Sequence, residues 1–119
     1  MIAVLFEVIP VDGQAPRYLE LAAELAPPLK QADGFISIER FRSLTDPDKM
    51  LSLSFWRDEE AVAAWRNQPA HRATQAEGRA ETFRDYRLRV AEVIRDYGLD
   101  YGLGERKQAP VDSRVRHGK

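Results

Sequence analysis

The chain has 119 residues, 44% of them hydrophobic and 31% charged, which suits one folded domain and leaves no room for a separate cofactor-binding module. Cysteine is absent, so disulfides, thiolate metal sites, iron–sulfur clusters and a cysteine nucleophile are excluded, and two Met and two His add little metal-binding capacity. A net charge of -1 gives no electrostatic reason to expect a nucleic-acid or anionic-membrane partner.

Residues Ile2 to Ile9 form a β-branched and aromatic run that stops at Pro10, Asp12 and Gly13, which predicts a strand and a turn. Both faces of this strand are apolar. Ile2, Val4, Phe6 and Val8 point one way, and Ala3, Leu5 and Ile9 the other, with Glu7 as the polar interruption. The run also lacks the basic n-region and small-residue cleavage site of a targeting segment, and no stretch approaches a membrane span, so the cytosol is the expected compartment. Asp12 is a candidate N-cap for a helix with Pro16 in its first turn and an apolar stripe of Tyr18, Leu21, Ala22, Leu25 and Leu29. Pro27 and Pro28 are expected to break or kink it near Ala26, before Asp33-Gly34 closes the connection.

Phe35 to Phe41 and Leu51 to Trp56 alternate in period two around Thr45-Asp46-Pro47-Asp48, a composition that predicts an antiparallel hairpin. Asp58 then caps a helix with Glu59 and Glu60 in its first turn and Ala61, Val62 and Trp65 on its apolar stripe. Pro69 opens a further helix, with Ala73, Ala76, Ala80 and Phe83 spaced to pack and Gln75 facing elsewhere. Tyr86 to Tyr97 reads as a long strand, with Tyr86, Leu88, Val90, Glu92 and Ile94 on one face and Arg87, Arg89, Ala91, Val93 and Arg95 on the other; a helix fits the same residues less well. From Glu105 to Lys119, five basic residues stand against two acidic ones without interleaved aromatics. The expected organisation is therefore a domain over residues 1–103 and a basic, solvated tail over 104–119.

The order strand, helix, strand, strand, helical pair, strand is the split βαβ plan of a ferredoxin-like α+β domain with a four-stranded antiparallel sheet. Its helices cover one sheet face. The apolarity of both faces of the first strand then implies a second copy of the chain against the other face, a homodimer.

FISIERF, LSLSFWRDEEAVAAW and the following His71 resemble the antibiotic biosynthesis monooxygenase family of the dimeric α+β barrel superfamily, over residues 1 to about 97. The shared features are an aromatic strand end at Phe55 and Trp56, the acidic helix start, Ala61-Val62, Trp65 and His71. The resemblance implies a dimeric barrel fold and, for some members, oxidation of polyketide or quinol substrates by dioxygen without a bound cofactor. The haem-degrading branch of the family has an Asn on the first strand and a His about ten positions after the Trp. Here the first strand offers Phe6 and Glu7, and the His position falls on Gln75, which argues against haem.

The chain contains no Gly-rich phosphate loop, nucleophile elbow or paired-His metal helix, and Ser37, Ser52 and Ser54 have no His and acid at recognisable offsets. What remains is a cleft between helices and sheet, where aromatic side chains suit a planar substrate. Trp65 is either a core filler or a wall of this cleft. His71 stands near a helix start, where the dipole favours the neutral imidazole; as a general base it takes a phenolic proton and leaves an electron-rich anion that reacts with dioxygen. Tyr86 is a hydrogen-bond donor for a substrate carbonyl, or a satisfied buried tyrosine. Phe6 and Gln75 are further candidate substrate contacts. Arg40, Arg42, Arg87 and Arg89 alternate on two strands as an arginine ladder, which salt-bridge partners would make an ordinary surface; unpaired in a cleft, Arg40 holds a substrate carboxylate.

The function expected from resemblance and pocket together is a small homodimeric monooxygenase that oxidises an aromatic or quinol-like molecule with dioxygen as co-substrate and no cofactor. The alternatives are a non-catalytic small-ligand or stress-response module and, below it, a haem-degrading oxygenase.

Overall fold

The structure is a computed structural model and describes residues 1–99. The expected domain end at Leu103 and the basic tail over 104–119 lie outside the described residues. The element order is β1 (Ile2–Pro10), α1 (Ala15–Lys30), β2 (Phe35–Arg42), β3 (Met50–Trp56), α2 (Glu59–Arg66), α3 (Pro69–Glu77) and, after a π turn over Gly78–Thr82, β4 (Phe83–Glu92). All strand pairs are antiparallel in the order β2-β3-β1-β4, the ferredoxin-like arrangement expected from the element order.

Alternation along the strands decides what each sheet face presents. On β3, Met50, Ser52, Ser54 and Trp56 are buried beneath the helices, while Leu51, Leu53 and Phe55 take the opposite face, where they are half-buried. Two packed clusters hold the helices down. Ile2, Trp56, Leu29, Ala61, Val62 and Trp65 join β1, β3, α1 and α2. Val8, Tyr18 and Met50 form a second cluster six residues further along β1, with Phe6 and Phe83 packed against it. Full burial of one such Leu or Val contributes about 1.5–3 kcal/mol.

Several local expectations are corrected. Asp12 does not cap α1: Asp12 and Gly13 form a turn in which the Gln14 N–H donates to the Val11 carbonyl at 2.8 Å, and Gln14 takes the cap position without a side-chain bond. Pro27 and Pro28 do not break α1, which continues to Lys30. Their missing N–H groups leave only the carbonyls of Ala23 and Glu24 without helical partners, and both residues are exposed to water. Phe83 is not on a helix stripe. Gly78 opens the π turn, and a β-carbon there would run into the Phe83 ring, so glycine lets that ring fold back beneath the turn at the start of β4.

The last strand spans Phe83–Glu92 rather than Tyr86 to Tyr97: its pairing with β1 ends at Ile2 opposite Glu92, and the Val93 N–H then donates to the Met1 carbonyl. The face assignment of Tyr86, Leu88 and Val90 stands. Arginines on β2 and β4 form no ladder, since these strands are the two sheet edges, and Arg40 shares the helix-side face with Ser52 whereas Arg87 and Arg89 share the other with Glu7 and Leu5. Asp58 caps α2 as expected, its Oδ1 accepting from the Ala61 N–H at 2.9 Å. That bond first, and Arg57 second, hold its carboxyl below the usual range.

Candidate active site

A cleft of about 840 Å³ opens between the helices and the sheet. Its floor follows from strand register. One row of cross-strand neighbours runs Arg40, Ser52, Phe6, Leu88 and the next runs Ile38, Ser54, Val4, Val90, and all eight border the cleft. Cross-strand partners share a face, so these rows are continuous strips. Small hydroxyl side chains at the centre of β3 leave space that larger residues would fill. The helices also stop short of the β4 edge, where Tyr86 and Leu88 remain 42% and 49% exposed.

Aromatic rings gather into two groups. Trp65 stacks at a tilt on His71, ring centroids 5.3 Å apart, and on Trp56 at 6.2 Å. Phe6 meets Tyr86 at 5.8 Å and Phe83 at 5.6 Å, and Tyr18 reaches Phe83 at 6.1 Å. His71 and Gln75 are four residues apart on α3, so one face of that helix turns both to the cleft. The far end of α3 is clamped to α1: Arg17 donates from Nε and a terminal nitrogen to both Glu77 oxygens, at 2.6 and 2.8 Å. A part-buried surface pair adds modest stability, but two parallel bonds fix orientation, and here they orient the helix that carries His71.

His71 is half-buried, and burial lowers its pKa from the ordinary 6.5, with the nearby Arg66 side chain lowering it further and the Arg66 backbone opposing. The ring is therefore neutral at pH 7. Its Nδ1 is enclosed and makes no hydrogen bond among the described residues. An enclosed nitrogen next to the Arg66 backbone does not meet a ligand, so Nε2, which is not enclosed in this way, is the ring nitrogen left to face a bound donor. No three His, Asp or Glu side chains converge as a metal site among the described residues.

The sequence profile of the antibiotic biosynthesis monooxygenases matches residues 1–77. The chain belongs to that family. It is 45% identical over 93 residues to jasmonate monooxygenase ABM of Pyricularia oryzae, covering 78% of this chain and 43% of that protein, so it spans less than half of that relative. YqjZ of Bacillus subtilis, of no assigned function, is 27% identical over 93 residues, covering 78% of this chain and 79% of its own. Rv0793 of Mycobacterium tuberculosis superposes with a TM-score of 0.73 at 16% identity, over 82% of this chain and 98% of its own. A Deinococcus radiodurans protein solved as a candidate antibiotic biosynthesis monooxygenase gives 0.74 at 15%, over 84% and 99%. At such identities these structures speak for the fold alone.

In this family member all six side chains singled out from the sequence, Phe6, Arg40, Trp65, His71, Gln75 and Tyr86, border the one cleft. Trp65 and His71 touch, as do Phe6 and Tyr86, and no ring contact joins one pair to the other. Trp65 is both core filler and wall, 8% exposed within the larger cluster. Tyr18, Phe83, Ser52 and Ser54 were missed as cleft residues. The alternation LSLSF carried the signal for the serines: small polar side chains on the face that meets the helices signify space.

Proposed function

We propose that this protein is an oxygenase that oxidises a small ring compound, aromatic or quinol-like, inside the cleft, with dioxygen as co-substrate and the substrate itself as reductant. The observation that carries this reading is a His71 kept neutral by burial, stacked on Trp65 in the lining of a cleft rich in aromatic and aliphatic groups. A ring packed between such walls is desolvated, and a phenolic O–H brought to His71 gives up its proton. The anion is electron-rich enough to react with dioxygen. One oxygen atom ends as a new carbonyl on the ring and the other leaves as water, the four electrons coming from substrate C–H and O–H bonds. Tyr86 donates a hydrogen bond to the oxygen on which negative charge develops, and Trp65, Phe6 and Gln75 hold the ring. The similarity to a protein named for jasmonate oxidation supports oxygenation of a small molecule and puts jasmonate among the compounds to test. The working unit in this proposal is a homodimer joined through the sheet face away from the helices.

The test is oxygen uptake with quinols, anthrones, jasmonic acid and haem, with no added flavin, metal or nicotinamide. We expect one dioxygen consumed per product with one atom of ¹⁸O retained. Saturable binding without uptake anywhere in the panel would instead make the protein a small-ligand module, and turnover confined to haem would move it to the haem-degrading branch.

A further inference from the structure

Among the described arginines of the sheet, Arg40 is the one with an enclosed Nε that has no partner; Arg84 and Arg87 are exposed on β4. Arg42 donates to the Pro47 carbonyl and Arg89 to Glu7. Arg40 lies on the cleft floor, its Nε is enclosed, and it bonds to nothing among the described residues. A guanidinium carries five donors in a planar fork; with the Nε closed off and the two terminal nitrogens not enclosed and without a partner among the described residues, those terminal nitrogens are the donors a ligand in the cleft would meet. Ser52, its neighbour across the strand pair, turns a hydroxyl side chain to the same face. The floor row then passes from this polar end to Phe6 and Leu88.

We propose that Arg40 and Ser52 form a subsite for a carboxylate, so that the substrate is an acid whose apolar ring lies two strands away, over Phe6. Two strand spacings are roughly 10 Å, the reach of a bicyclic ring bearing a short acid side chain. Rim cations do not offer the same site. Arg66 and Arg72 border the cleft from exposed helix positions, where water and salt weaken their hold on an anion. Held by its acid end at β2, the ligand cannot slide along the cleft, which fixes which ring atom meets oxygen. This inference rests on the cleft being the substrate site.

The test is calorimetric titration with 1-naphthylacetate and its neutral isostere 1-naphthylacetamide. The wild-type chain is expected to bind the acid on the order of tenfold or more tighter than the amide, the contribution of charge-assisted bonds. In Arg40→Met that ratio falls to about one while amide affinity stays within about threefold, which also shows that the variant is folded; Arg40→Lys keeps a reduced preference, because it keeps the charge and loses the fork. Equal binding of acid and amide by the wild type, or a preference that survives in Arg40→Met and vanishes in Arg66→Met/Arg72→Met, overturns the subsite and leaves the cleft reading standing. Binding of neither compound overturns both.

Discussion

His71 joins a protonation equilibrium to a place in the cleft, and the two can be measured apart. Burial holds the folded-state pKa below 6.5, whereas the ring in the unfolded chain titrates near that value. Between the two values the unfolded state binds more protons, so stability rises with pH across that window. Acidification through the folded-state pKa removes this contribution, and above about 6.5 it is fully present. Glu7, Asp33, Asp58 and Glu77, all held low by hydrogen bonds or ion pairs, lose theirs only in the more acid carboxylate range, so the effects separate on the pH axis. His71→Phe keeps a ring against Trp65 and removes the proposed base. We expect it to flatten the segment of the Tm–pH curve just below 6.5 and to lower kcat/KM by ~10²–10⁴-fold, with loss of the acid limb of the rate profile. A rate within about threefold of wild type would reduce His71 to a packing residue and leave Trp65 and the shape of the cleft as the source of activity.

Turns between elements carry constraints that their residue types state to different degrees. Gly34, between α1 and β2, sits at φ +83°, and a β-carbon there would lie 2.5 Å from the Ala61 β-carbon; Gly13, at φ +82°, has nothing within 4 Å. Alanine at either position meets the left-handed penalty of about 1–2 kcal/mol, and only at Gly34 does it also push α2 off β2. Urea unfolding should therefore show Gly34→Ala as clearly the more destabilised of the two, and equal losses would remove the packing explanation. The same contrast separates what could be read in advance from what could not. Asp-Gly and the Asp58 cap announce themselves by residue type, as does the alternation of β3. The end of β4 was not legible, because it is set by where β1 runs out, which no residue of β4 encodes. Nor was the course of α1 past Pro27-Pro28, since the outcome depended on which carbonyls faced water. The π turn was hidden for a related reason: Gly78 matters through Phe83, a contact that exists only once the chain has turned. Five of the six named cleft residues are aromatic or ionisable types, which stand out in a sequence, and Gln75 came from its place ten positions after Trp65, whereas Ser52 and Ser54 shape the floor by being small.

At the scale of the whole molecule, the helices cover one face of the sheet and leave a second apolar face without cover from the described residues. Leu5 pairs with Leu53 and Phe41 with Leu51 on that side, and Phe41 is 42% exposed. Glu7 and Glu39 interrupt it: Arg89 at 2.9 Å and Lys49 at 3.1 Å pair the charge of Glu7, whereas Glu39, on the edge strand opposite Leu53, has no ion pair among the described residues and needs a wet rim or a partner's cation. An apolar sheet face of this kind resembles half of a domain core, and an obligate interface built on it should bury ~2,000 Å² or more in total. Sedimentation velocity at micromolar concentration should show twice the chain mass. Leu53→Glu, at the centre of the face, should give a folded monomer, because each protomer would bring an unpaired carboxylate into the contact. Leu19→Glu, on the exposed side of α1, should leave the dimer intact, since that residue is already 45% in water. A wild-type monomer would show that the sheet face works in water as it is, and its leucines would then need a different partner to explain them.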